Sequence, residues 1–195
     1  RNIKIHGYAR GAGYSIFSDE DVSNSNHAWN AVKIRENWYL LDVTWDSGHL
    51  SGRTAVQQYE TSYLFIKPEH MIYTHLPTNP AFQFLEPPWS REKFKTSPYL
   101  RGELFLVLPD FSAPLGLITE TEGIYYFSLS TPEEISLSGR LLDQREKEIP
   151  DRVFIQKNEE GISDIRVSFP APGNYILSLF AQTGGSGKYD YICEF

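Results

Sequence analysis

One histidine and one aspartate, His27 and Asp42, are the residues of this chain best placed by type and setting to do chemistry. They lie in Asn26-His27-Ala28-Trp29-Asn30-Ala31-Val32 and Trp38-Tyr39-Leu40-Leu41-Asp42-Val43-Thr44-Trp45. The pattern reads as two β-strands joined by a tight turn at Arg35-Glu36-Asn37, with His27 opening the first strand and Asp42 late in the second. In such a pair the imidazole takes a proton from a nucleophile. The carboxylate holds the ring's other nitrogen, which fixes the tautomer and stabilises the imidazolium. A thiol or hydroxyl is then the missing third member. Trp29, Asn30 and Trp45 flank the pair and are expected to line the site, with the two indoles shielding it from water.

Hairpin spacing makes the two residues neighbours without joining them. A turn at 35–37 that pairs Ile34 with Trp38 sets Asp42 opposite Asn30, and a two-residue turn sets it opposite Ala31. His27 is then three or four residues away, about 10–13 Å along a strand. A bulge or strong twist is required to close that distance.

The elements that must position the pair are mostly strands. Ile3 to Ala9 alternates as a strand and ends in the glycine-rich turn Gly11-Ala12-Gly13. Ser18 to Asn26 is a polar, acidic loop. Asp46-Ser47-Gly48 is turn chemistry, and Asp46 adds a negative charge that either acts on His27 or faces solvent. Leu50 to Gln58 reads as a polar connection, Tyr63 to Ile66 as a buried strand, and Pro68 to Met71 as a helical turn opened by proline. Five prolines between 76 and 98 rule out regular helix or interior strand there. That segment reads as a linker packed by Phe82, Phe84, Leu85 and Trp89, with a short helix capped by Ser90. From Leu100 the texture changes to short strands, expected at 103–108, 115–119, 123–129, 134–142, 152–157, 163–169, 174–181 and 188–193. That count over this length is the signature of an immunoglobulin-like sandwich.

With 195 residues, 41% hydrophobic and 22% charged, the chain has room for one large or two small packed units. A net charge of −7 without any basic cluster argues against a nucleic-acid surface. No apolar run reaches the length of a membrane span. The single cysteine, Cys193, can form no intramolecular disulfide and fits a reducing, cytoplasmic compartment. It sits in the last expected strand and reads as a packed side chain. His6, His49, His70 and His75 share no metal-ligand spacing, so no metal site is expected, and His70 and His75 read as core residues. No cofactor motif is present: Gly184-Gly185-Ser186-Gly187 joins two strands and reads as a hairpin turn.

The motifs together carry a resemblance. Gly7-Tyr8-Ala9-Arg10-Gly11, the HAWN and DVTW segments, and Tyr63 to Pro77 are similar to the transglutaminase-like superfamily of papain-type cysteine enzymes, and in particular to its kyphoscoliosis peptidase branch. The resemblance covers residues 3 to about 85. It implies an α+β, β-rich half-core over residues 1–85, a proline-rich linker over 86–99 and an all-β immunoglobulin-like sandwich over 100–195. It also implies that His27 and Asp42 are the catalytic histidine and aspartate, acting on a protein substrate, with cytoskeletal proteins as partners. The family's nucleophilic cysteine opens a helix preceding the Gly-Tyr-Ala strand, which places it upstream of Arg1. The chain is therefore expected to be a fragment without the nucleophile, and either inactive alone or a scaffold with a relic of the enzyme fold.

Overall fold

A computed structural model describes residues 2–11, 14–17, 21–51, 54–111, 123–185 and 187–195. The chain divides into two compact units, Arg1–Ser97 and Pro98–Phe195.

In the first unit, β1 (Asn2–Ala9), β2 (His27–Ile34), β3 (Asn37–Leu41), β6 (Leu64–Ile66) and β7 (His75–Pro77) form one sheet in the order β6-β3-β2-β1-β7. Between β3 and β6 come a single helical turn, α1 (Val43–Asp46), and a two-stranded hairpin, β4 (Gly48–Ser51) with β5 (Thr54–Gln57). The segment 50–58, expected as an irregular connection, is thus largely strand. The short helices α2 (Pro68–Met71) and α3 (Arg91–Lys95) and a 3-10 turn over Pro80–Gln83 also belong to the unit, and Ser90 caps α3 through its hydroxyl as expected.

Period-two alternation buries one face of the sheet: Ile5, Trp29, Ala31 and Leu40 pack with Tyr63, Ile66 and Met71. Burying these side chains stabilises by about 1.5–3 kcal/mol each for the larger aliphatic ones. Leu64 and Phe65, expected inside, are nearly half exposed because β6 is an edge strand. At the end of β1, the buried Arg10 donates to the carbonyls of Tyr73 (3.0 Å), Ser97 (3.3 Å) and Phe94. Its guanidinium lies 4.1 Å from the centre of the Phe94 ring, a cation–π contact that ties residues 94–97 into this unit.

The second unit is a β-sandwich. One sheet runs β11 (Glu148–Ile149), β10 (Ile135–Leu142), β14 (Ile176–Thr183), β15 (Asp190–Glu194), β8 (Tyr99–Leu100), and the other runs β12 (Val153–Lys157), β13 (Ile162–Ser168), β9 (Ile124–Ser130). Gly139 on β10 lets the sheets approach: a Cβ there would stand 2.6 Å from Val153 Cγ1 of β12. The segment expected as a strand at 103–108 is instead a helix, α4 (Gly102–Val107). Leu104, Phe105 and Leu108 are buried while Leu106 is exposed, which is helical and not strand periodicity. The strand expected at 115–119 lies outside the described residues.

Candidate active site

Asp42 is not in the strand but one residue past it, as the N-cap of α1. Its Oδ1 accepts from the backbone amides of Thr44 (3.0 Å) and Trp45 (3.1 Å). That cap fixes the carboxylate, because both amides belong to the first helical turn and have no partner within it. The other oxygen, Oδ2, accepts from His27 Nε2 at 2.5 Å and from His75 Nε2 at 2.9 Å. Asp42 is 1% exposed. Burial alone would raise its pKa, but the hydrogen bonds from His27 and His75, with the charge on those rings, hold the carboxyl below the usual carboxylate range.

The contact that hairpin spacing left open comes from a different register. The turn is Arg35-Glu36, so Ile34 pairs with Asn37 and Asn30 with Leu41. Extended by one residue, this sets Asp42 opposite Trp29. The offset from His27 is then two residues, an even number, so His27, Trp29 and Asp42 share a face as diagonal neighbours. Neither expected register, opposite Asn30 or opposite Ala31, is the observed one. The same parity corrects the placement of Asn30. It is exposed, on the face opposite Trp29, and does not line the site.

β1 lies between the two histidines. Gly7 pairs with His27 on one side and Pro77 on the other, and Ala9 pairs with His75. A side chain at Gly7 would collide with its neighbours: its Cβ would stand 2.5 Å from Trp29 Cη2 and 2.2 Å from the Leu76 carbonyl oxygen. Asn26 secures the same corner, its amide pairing with both backbone groups of Ala9 (2.8 and 3.1 Å) immediately before His27.

Aromatic rings enclose the cluster. The His75 ring centre is 4.6 Å from that of Trp45, 4.9 Å from that of Trp29 and 5.6 Å from that of Tyr63. The Trp29 and Trp45 rings lie 6.1 and 6.4 Å from His27. Trp29 and Trp45 thus stand beside both imidazoles. Asp46 turns its Oδ1 to the Tyr63 amide (2.9 Å), and burial, with repulsion from Asp42 and Glu60, raises its pKa.

The side chain of His27 is 19% exposed, whereas those of Asp42 and His75 are closed to solvent. With Nε2 bonded to Asp42, His27 keeps Nδ1 as its proton-accepting nitrogen. Ligand atoms of His27, Asp42 and His75 lie within 4.8 Å of one another. A tetrahedral ion with bonds near 2.0–2.1 Å would separate its ligand atoms by about 3.3 Å. At 2.5 and 2.9 Å these atoms are spaced for hydrogen bonds. His75 was missed in the sequence because its partner strand, β1, lies more than sixty residues upstream. Cys193 belongs to the second unit, where burial raises the pKa of its thiol. His6 and His70 are not among the residues of the cluster, and the side chain of His49 lies outside the described residues.

The first unit is thus an antiparallel sheet that sets a histidine beside an aspartate, and the second is a β-sandwich of the immunoglobulin-like class. Residues 91–195 match the model of the family described as KY-like, immunoglobulin-like domain. The chain is 35% identical to the human kyphoscoliosis peptidase over 99% of its own length and 28% of that protein. It is 24% identical to the Caenorhabditis elegans Lim and transglutaminase domain protein ltd-1, over 96% of this chain and 29% of that one. It is 30% identical to cytokinesis protein 3 of Schizosaccharomyces pombe, over 52% of this chain and 11% of that one. The chain belongs to the kyphoscoliosis peptidase branch of the transglutaminase-like family. It spans somewhat over a quarter of the length of the first two relatives.

Proposed function

We propose that this chain carries the histidine–aspartate half of a transglutaminase-like cysteine peptidase or acyltransferase, whose nucleophilic cysteine lies upstream of Arg1 in the parent protein. The observation that carries the reading is the 2.5 Å contact from His27 Nε2 to Asp42 Oδ2, which leaves Nδ1 as the ring nitrogen open to a thiol. In this scheme His27 takes the thiol proton, and the thiolate attacks the carbonyl carbon of a glutamine side chain or peptide. The amine leaves with the proton from His27, and a thioester remains. An incoming amine or water, deprotonated by His27, then attacks the thioester and regenerates the thiol. Asp42 stays ionised throughout and stabilises the imidazolium.

A non-catalytic reading gains support from the second unit. There Phe154, Arg166 and Tyr126 sit in one cross-strand row, and both rings are more than half exposed. On this reading the chain is a docking module for cytoskeletal proteins in the cytoplasm. Cytokinesis protein 3, a relative named for cell division, is consistent with this reading. No helix among the described residues is long and apolar enough to cross a membrane. The two readings separate on one experiment with the full-length protein. His27→Ala abolishes thioester formation with an amide substrate if the enzymatic reading holds; equal turnover in the variant removes His27 from the mechanism.

A further inference from the structure

We infer that His75, oriented by Thr74, is a positioning residue for the His27–Asp42 pair: a neutral hydrogen-bond donor that fixes the carboxylate without competing for its charge. The inference rests on the enzymatic reading proposed above, and it concerns a residue that the pairing of one histidine with one aspartate does not require.

Proton bookkeeping carries it. Asp42 Oδ2, when ionised, can only accept, so the 2.9 Å contact requires His75 Nε2 to bear a hydrogen. The opposite nitrogen, Nδ1, lies 2.8 Å from Thr74 Oγ1. If Nδ1 also bore a hydrogen, the ring would be a fully buried cation. Burial lowers the pKa of His75 against the pull of Asp42, and His27, the second histidine at that carboxylate, opposes a charge there as well. A bare Nδ1 needs a donor, and the Thr74 hydroxyl is within reach. That hydroxyl also lies 3.1 Å from the Met71 carbonyl oxygen, which accepts from the Thr74 amide at 3.0 Å. A carbonyl oxygen can accept twice, so the hydroxyl has two acceptors within reach, and the nearer of them is Nδ1 of His75 at 2.8 Å.

The consequence is an ordered chain. Thr74 donates to His75, His75 donates to Asp42, and the single negative charge of Asp42 remains for whichever proton His27 acquires. A charged His75 would instead share that charge and weaken the hold on His27. Two donors converging on one oxygen also leave it a single position, since Oδ1 is fixed by the α1 amides.

The test uses the full-length protein with 15N-labelled histidine and reads the ring nitrogens at pH 7, with amide turnover measured alongside. In the wild type His75 should show hydrogen on Nε2 and none on Nδ1. Thr74→Val should mix the two tautomers, and Thr74→Ser should restore one. His75→Leu should lower kcat about tenfold to a hundredfold, the range carried by partners that orient a functional histidine, with KM changed little. His75→Gln, whose amide nitrogen can donate to the same oxygen, should recover most of that loss. A packing role alone would make Gln no better than Leu. Hydrogen found on Nδ1 of His75, or equal kcat in His75→Leu and the wild type, overturns the inference. Where the leucine variant fails to fold, the Thr74 pair decides through the ring spectra. Absence of turnover in the wild type overturns the enzymatic reading instead, and the tautomer of His75 is still read directly.

Discussion

Asp42→Asn tests how much of the first unit hangs on one carboxylate. The amide oxygen can still cap α1, but the amide nitrogen now faces two imidazole N–H groups that were donating to Oδ2. Hydrogen bonds to a charged group are worth about 1.5–3 kcal/mol each, so losing both predicts about 3–6 kcal/mol of destabilisation. Asp42→Ala removes the cap as well and should cost about 1 kcal/mol more. All four tryptophans, Trp29, Trp38, Trp45 and Trp89, fall in the first unit. Urea unfolding followed by tryptophan fluorescence at pH 7 therefore reports that unit alone. An asparagine variant within about 1 kcal/mol of the wild type would refute the reasoning, because Oδ2 would then not be holding two rings.

Acid should loosen the same unit in two stages. Burial holds the folded-state pKa of His75 below its ordinary 6.5, so on falling pH the unfolded chain binds a proton that the folded chain refuses. Stability then declines below about pH 6.5, by at most about 1.4 kcal/mol per pH unit for this one group. His70 is shifted the same way, mainly by burial. Asp42, whose folded pKa is depressed, contributes stability that is present above its unfolded value of 3.8 and is lost as pH drops below it. Urea midpoints from pH 7.5 to 4.5 should show the upper stage, and His75→Gln should flatten it; an unchanged slope would assign it to another group. Gly7→Ala places a methyl against Trp29 and the Leu76 carbonyl, and overpacking predicts a loss of about 1–3 kcal/mol or more. A fluorescence midpoint equal to that of the wild type would show that this corner has slack.

How much of this could be read beforehand depended on whether the deciding interaction was local. β1, β2 and β3 announce themselves by alternation and by the residues between them. The glycine turn between β14 and β15 does so too, and so does the Ser90 cap. Asp42 was harder. A carboxylate that closes a strand and one that opens a helix look alike until its two backbone partners are seen, and a one-residue difference in turn placement decides which face holds Asn30. His75 could not be read as part of a site at all, because α2 and the whole 42–74 segment intervene before β7 returns to β1. The 103–108 run was misread because apolar residues that pack in a helix and in a buried strand are the same residues. The resemblance to a transglutaminase-like enzyme supplied the meeting of His27 and Asp42, which hairpin spacing alone did not.

The buried Arg10 has a consequence for anyone dividing the chain. The stretch that matches the immunoglobulin-like family opens at residue 91, yet Phe94 and Ser97 give their carbonyls to a guanidinium rooted in β1. A cut at 90 would strip a cation of acceptors it reaches inside the protein and would open the pocket around Phe94, which is fully buried. The division between the two compact units falls between Ser97 and Pro98, several residues beyond where the match to the immunoglobulin-like family begins.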